Sequence, residues 1–280
     1  MAGVLSLVFA ATSALIWGAG DFAGGKASQR TNSVGIALVA ELAGIPLVLG
    51  WLLVTRPGAP ATADLAWGAA AGVLGVAGLV VFYRGLSGGA MSVVAPLTAT
   101  TTAAVPLLLG LVLDRRPSTL ALIGAVLAVA AITLVSAGPS AGGTVSKGLV
   151  AAALAAGVLF GGYFTLIAQT SHESGMWPLL SGRVAGAAGL LVAMRLMRVP
   201  LRMDRTSVAL AGTAGVFDVT ANAFYLVAVR GGMLSIAAPI ASLYPVSTVF
   251  LAMAVDRERM RPLQITGLGL AAAALVLTAA

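Results

Sequence analysis

Phe82-Tyr83-Arg84-Gly85-Leu86-Ser87-Gly88-Gly89-Ala90-Met91-Ser92-Val93-Val94-Ala95-Pro96 has an echo half a chain away, in the stretch from Phe224 to Pro239. There Phe224-Tyr225 stand for Phe82-Tyr83, Gly231-Gly232 for Gly88-Gly89, Ser235 for Ser92 and Ala238-Pro239 for Ala95-Pro96. Unrelated glycine-rich apolar stretches lose such a register within a turn or two, so extending it outward tests whether it is chance. The register holds. Trp17-Gly18 falls on Phe160-Gly161, Ala43-Gly44 on Ala185-Gly186, Asp114 on Asp256, Leu120 on Leu263 and Gly124 on Gly267, with one residue of slip between segments. The chain is a duplication, with halves at 1–137 and 147–280 and a linker at 138–146.

Composition sets the class. Of 280 residues, 59% are hydrophobic and 9% charged, and the mean hydropathy is +1.03. That leaves too few polar side chains to cover a soluble globule. The chain therefore reads as an all-α integral membrane protein, made of apolar runs of the roughly 20 residues that cross a hydrocarbon core of about 30 Å. The 16 Lys and Arg against 9 Asp and Glu give +7. In short loops between spans this surplus reports topology and contact with membrane lipid headgroups, and no nucleic-acid partner is expected. Cysteine is absent, which removes disulfides, thiolate nucleophiles and cysteine metal sites. The first apolar run has no Lys or Arg before it and continues past Trp17, so it reads as a span and not as a signal peptide. No Walker-type loop, H-E-x-x-H or G-x-S-x-G occurs, so ATP coupling, zinc chemistry and hydrolysis have no support, and neither an enzymatic activity nor a cofactor or metal is expected.

Runs at about 4–25, 33–54, 65–86, 92–113 and 118–136, then 148–168, 176–196, 207–229, 234–255 and 263–279, predict ten transmembrane helices, five per half. An odd number per half makes the second half enter the membrane from the opposite side. The halves are then inverted repeats about an axis in the membrane plane, an arrangement that points to a transporter. Charged or Pro/Gly-rich breaks at Arg56-Pro57-Gly58-Ala59-Pro60, Asp114-Arg115-Arg116-Pro117, Gly138-Pro139-Ser140 and Asp256 to Pro262 separate the runs. With the N-terminus outside, the cytoplasmic loops would carry Lys26, Arg30, Arg84, Lys147, Arg195, Arg198, Arg202, Arg205, Arg257, Arg259 and Arg261, against Arg56, Arg115, Arg116 and Arg230 on the other side. Gly20/Gly24, Gly68/Gly72, Gly157/Gly161 and Gly182/Gly186 mark helix faces that let backbones approach closely.

A charge inside a spanning helix costs a few kcal/mol and needs a reason. Asp218, near the middle of the eighth span, shares a helical face with Asn222 and Tyr225. It is either a neutral or hydrogen-bonded tie between helices or a substrate or proton site, since low dielectric penalises its charged form. Glu41 falls opposite Arg183 in repeat register, so symmetry-related positions carry opposite charges and can pair across the halves or serve a substrate carboxylate or gate. Asp21 and Lys26 near the end of the first span read as snorkelling side chains that reach the interface. Pro96 and Pro239, at matched positions, predict helix breaks beside a midplane cavity, which Pro106, Tyr244, Pro245 and Tyr83 are placed to line. His172, the single histidine, sits beside Glu173 and reads as a solvated loop residue.

These features together resemble the EamA-type branch of the drug/metabolite transporter superfamily, over the entire chain. Trp17-Gly18, Phe22 and Lys26 look like the family's first-helix W-G-x-x-x-F-x-x-x-K pattern; Arg183 looks like its second-helix arginine; Pro96 and Pro239 its fourth-helix A-P; Glu258 with Gly267 its E-x(8)-G entry to the fifth helix. Glu41 and Arg115 depart from the pattern in the first repeat. The resemblance implies a secondary carrier in the bacterial plasma (inner) membrane, exporting or exchanging small metabolites such as amino acids by alternating access, with protons as a candidate coupling ion. It also implies cytoplasmic termini, against the loop-charge count. A non-transporting partner subunit or a lipid scramblase is the competing reading. Two fused halves supply their own symmetry, so a monomer and a homodimer are both compatible with the chain.

Overall fold

The computed structural model describes residues 2–87, 91–113, 118–135, 147–244, 246, 247, 251, 254 and 262–279. Ten helices have described bounds: α1 (Ala2–Ser28), α2 (Ser33–Thr55), α3 (Thr62–Ser87), α4 (Met91–Leu113), α5 (Thr119–Val135), α6 (Lys147–Ile167), α7 (Trp177–Met197), α8 (Arg205–Gly231), α9 (Leu234–Ala241) and α10 (Pro262–Ala279), and residues 246, 247, 251 and 254 are helical as well. In the absence of water, only a helix satisfies a lone segment's backbone groups, which is why glycine-rich stretches stay helical here. Polar caps mark the ends: the Asn32 side chain accepts from the Val34 amide at 2.8 Å, and Asp204 from the Ser207 amide at 3.0 Å. Arg56 and Arg198 close α2 and α7 in the left-handed conformation.

Six of these helices are long and apolar enough to cross a membrane, and shorter apolar helices run over Leu97–Gly110 and Leu122–Leu134. The outer surface is apolar as well, with Leu53 at 74%, Val54 at 83% and Leu196 at 79% exposure. Such a surface suits lipid and not water. The ninth span departs from expectation. Regular helix stops at Ala241 and gives way to a turn over residues 242–244. Tyr244 precedes Pro245, and a residue before proline is disfavoured in helical geometry. Pro245 and Arg257 to Arg261 lie outside the described residues, as do Arg115 and Glu258. Pro96 falls within α4, and its side chain is also outside them.

The helix pairings carry the duplication into three dimensions. α1 packs on α8 and α3 on α6; α2 packs on α8 and α3 on α7; α4 packs on α6 and α1 on α9. Exchanging each helix for its counterpart in the other half turns each of these pairs into its neighbour in the list, while α2–α7, α4–α9 and α5–α10 map onto themselves. Single residues obey the same rule. Gly72 lies against the Gly182 backbone and Gly215 against the Ala40 backbone, and the sequence register maps one contact on the other to within one residue. Gly20 faces Phe217 just as Gly75 faces Tyr163. Glu41 sits at Gly186 and Arg183 at Gly44, so α2 crosses its own counterpart α7 antiparallel. A two-fold relation between antiparallel counterparts has its axis across the helices.

Small residues make these crossings possible. A Cβ at Gly215 would run into the Ala40 carbonyl, whereas one at Gly212 meets nothing within 4 Å. Gly215→Val is expected to cost about 3 kcal/mol through overpacking, with Gly212→Ala neutral, as read by thermal unfolding of the purified protein in detergent. At the exposed start of α8, hydrogen bonding from Ser207 and from the Arg30 guanidinium at 2.9 Å holds the Asp204 carboxyl at about 2, below its ordinary 3.8. A depressed acid stabilises above its unfolded value and loses that contribution as pH falls through its folded one. The stability difference between wild type and Asp204→Asn should therefore be full above pH of about 4 and vanish towards pH of about 2.

Candidate functional site

The charges gather where α2, α7 and α8 cross. Gly44, Gly182, Gly186 and Gly215 strip side chains from that crossing and let the helices approach closely, with the Arg183 guanidinium against Gly44. A Cβ at Gly44 would stand 3.4 Å from Nε and Cζ of Arg183, and one at Gly186 3.6 Å from the Glu41 carboxyl carbon. Arg183, on α7, lies between Glu41 of α2 and Asp218 of α8: Nη1 is 3.3 Å from Glu41 Oε1, and Nη2 donates to Asp218 Oδ2. Arg183 and Glu41 are nearly inaccessible, with side-chain exposures of 6% and 10%, while Asp218 at 38% faces open space. A charge this deep is tolerated only when paired.

Asp218 is the best-supported carboxylate of the group. Trp17 Nε1 donates to its Oδ1 at 2.9 Å, and Asn222 Nδ2 donates to its Oδ2 at 3.0 Å and to its backbone carbonyl at 2.7 Å. The Tyr163 hydroxyl donates to Asn222 Oδ1, which fixes the amide's orientation. Trp17, on α1, is held in turn by stacking on Phe164 at 5.1 Å, and Phe164 stacks on Tyr225 at 4.5 Å. The Tyr225 hydroxyl donates to the Phe164 carbonyl at 3.1 Å, so Tyr225 braces the wall and does not line the open space.

These groups border a cavity of about 100 Å³ whose walls come from both halves. Asp21, Glu41, Arg183, Asp218, Asn222 and Tyr244 reach it, with Trp17, Tyr163 and the glycine face Gly68-Gly72-Gly75 of α3 between them. The structure thus brings Glu41, Arg183, Asp218, Asn222 and Tyr244 together. It places Tyr83 against Gly24 and keeps Tyr83, Pro106 and Pro239 out of the cavity wall. Asp21 corrects the reading of an interfacial side chain. α1 continues to Ser28, so Asp21 lies a further two turns inside the helix, one turn from Trp17 on the cavity face. The Lys26 ammonium lies 5.4 Å from the Phe22 ring centre. Trp17 was legible as part of a motif without a role, and Tyr163 carried no signal in the sequence. Among the described residues, no group of three His, Cys, Asp or Glu side chains is placed to hold a metal ion.

His172 and Glu173 belong to a segment fastened over one end of the bundle. Asp64 at the start of α3 accepts from the Ser171 amide at 3.1 Å, from Ser171 Oγ at 2.5 Å and from Ser174 Oγ. Arg230 at the end of α8 donates to Thr170 Oγ1 at 2.9 Å and to the Gly175 carbonyl at 2.8 Å. His172 Nε2 meets the Arg230 carbonyl at 2.7 Å. At the other end, Arg30 pairs with Asp204 at 2.9 Å and Thr31 Oγ1 donates to the Arg202 carbonyl at 3.1 Å.

Removing the guanidinium strands two carboxylates. Arg183→Met is expected to destabilise the protein by about 3 kcal/mol, the low end for breaking a buried pair because Asp218 is partly solvated. Adding Asp218→Asn should recover part of that loss, and thermal unfolding of the three proteins in one detergent reads both changes.

A crystal structure with 16% sequence identity superposes on this chain with a TM-score of 0.75, over 97% of this chain and 95% of that one. At that identity the likeness establishes the all-helical fold alone. No curated protein matches the chain in sequence. The sequence profile of the EamA-like transporter family matches twice, over residues 4–137 and 147–280. The two matches cover the duplicated halves and with them nearly every helix of the bundle. The chain is a multi-pass integral membrane protein and belongs to the EamA-like transporter family.

Proposed function

We propose that the protein is a secondary carrier for small polar metabolites, amino acids among them, which exposes its central cavity alternately to the two sides of the membrane. The ten apolar runs of the sequence then cross the bilayer, in two inverted five-helix repeats, and the membrane is the bacterial plasma membrane. The observation that carries this reading is a charged cavity bounded by helices of both halves in an otherwise apolar bundle. A structural ion pair alone needs no space beside it. This one faces space of a size that suits a compact molecule.

The lining indicates the kind of molecule. Arg183, shared between Glu41 and Asp218, gives the wall a positive charge that favours a carboxylate or carbonyl entering the cavity. Carboxylates of the same wall offer acceptors to an ammonium or hydroxyl group. Loading therefore replaces water by preformed partners of both signs. Polar fastenings at the two ends, Asp64 and Arg230 on the 168–176 segment and Arg30 with Asp204 opposite, are the contacts that must open in turn. The monomer contains both halves of the cavity, and membrane lipid surrounds it.

Counterflow in proteoliposomes with a pooled set of amino acids tests the proposal. Saturable uptake by the wild type is expected, reduced about tenfold or more in Asp218→Asn, which disarms the acceptor for Trp17, Asn222 and Arg183. Absence of flux for every pool member from folded protein would overturn the carrier reading, and unsaturable movement of a fluorescent phospholipid would replace it with a scramblase.

A further inference from the structure

We infer that Asp21 is the group that takes up and releases the coupling proton of this carrier. The inference rests on the carrier reading and goes beyond it in assigning proton exchange to a carboxylate that neither the repeat motif nor the Arg183 ion pair includes.

Three carboxylates, Asp21, Glu41 and Asp218, share the cavity with one guanidinium. Arg183 is in contact with Glu41 and Asp218, and Asp218 is further held by Trp17 and Asn222. Asp21 has no ion pair among the described residues. The groups around it offer no compensation. Asp218 on α8 and Glu41 on α2 are carboxylates, Tyr83 on α3, Tyr163 on α6 and Tyr244 after α9 are phenols, Thr102 on α4 is a hydroxyl, and Arg183 on α7 is already shared between the other two acids. Lys26, on the same helix, has its ammonium over the Phe22 ring.

A carboxylate without a countercharge, walled by Leu79, Phe160 and Phe164, can take up or release a proton without breaking an ion pair. Water reaching it from one side delivers the proton that neutralises it. Water reaching it from the other side, or an arriving cationic group of the substrate, lets that proton leave. Asp218 cannot serve in this way without dismantling the pair that holds α7 to α8.

Dicyclohexylcarbodiimide reacts with protonated carboxyl groups in apolar surroundings and so reports the proton directly, without a substrate. In proteoliposomes of the full chain, peptide mass spectrometry should find the adduct on Asp21, falling about tenfold per pH unit on the alkaline side of its titration. Asp21→Asn should lack it and Asp21→Glu should keep it. In counterflow, Asp21→Asn should lose accumulation driven by a pH gradient, and Asp21→Glu should keep it. An adduct on Glu41 or Asp218 in place of Asp21, or gradient-driven accumulation that survives Asp21→Asn, would overturn the inference. A labelled Asp21 in a protein that moves no pool member would instead count against the carrier reading alone.

Discussion

One guanidinium inside an apolar bundle sets the terms for everything around it. Arg183 cannot be ionised at that depth without partners, and it cannot lose its charge, so two carboxylates from two other helices must be brought to it. Glu41 and Asp218 satisfy the condition from α2 and α8, which puts members of both halves in one contact. The glycines at the crossing bring the helices close enough for these contacts, since a Cβ at Gly186 would stand 2.7 Å from Val76 and one at Gly44 3.2 Å from Val219. Trp17 and Asn222 then join Arg183 as donors to Asp218, and Tyr163 fixes the orientation of Asn222.

The backbone is symmetric and the chemistry is not. Helix pairings and glycine contacts repeat under exchange of the halves, down to Gly72 on Gly182 and Ala40 on Gly215. The polar groups have no such mates: in the sequence register Asp218 stands for Val76, Asn222 for Val80, Asp21 for Phe164 and Tyr163 for Gly20. Among the charged groups of the cavity only Glu41 and Arg183 have a charged mate, each other, and their charges are opposite. Duplication supplies a scaffold that can tilt either way with similar packing. Divergence at these positions decides what the scaffold holds.

Most of the architecture was readable because the membrane imposes it. Span limits depend on hydropathy and length, and nine of the ten expected runs agree with the helices to within about three residues. The exception is the ninth, where α9 ends at Ala241 and Ser242-Leu243-Tyr244 form a turn ahead of Pro245. Hydropathy carries little sign of that end, because the three turn residues barely interrupt an apolar run. Site membership was harder, since helices that are apolar on all sides show no stripe to say which face points inward. Asp218, Asn222 and Tyr225 share one helical face, yet the first two meet the cavity and the third braces an aromatic stack behind it. Asp21 was misplaced for a geometric reason. It lies one turn from Trp17 on the face that lines the cavity, seven residues or about 10 Å of helical rise before the end of α1.

The same features that pack the bundle leave it able to move. Where Gly72 meets Gly182 and Gly215 meets Ala40, backbone lies on backbone, with no side chains interlocked across the seam. Helices α3 with α7 and α2 with α8 run parallel at these seams, as the stepped contacts Gly68–Pro178 and Gly72–Gly182, then Ala40–Gly215 and Gly44–Val219, require. A small slide along such a seam breaks few contacts, whereas interdigitated side chains would resist it. What must survive the slide is the charge balance at the centre. A planar guanidinium with five donors can pass hydrogen bonds from one carboxylate to another without ever being left unpaired. Arg183, held between Glu41 of one half and Asp218 of the other, is placed to keep its charge compensated while the halves shift about it.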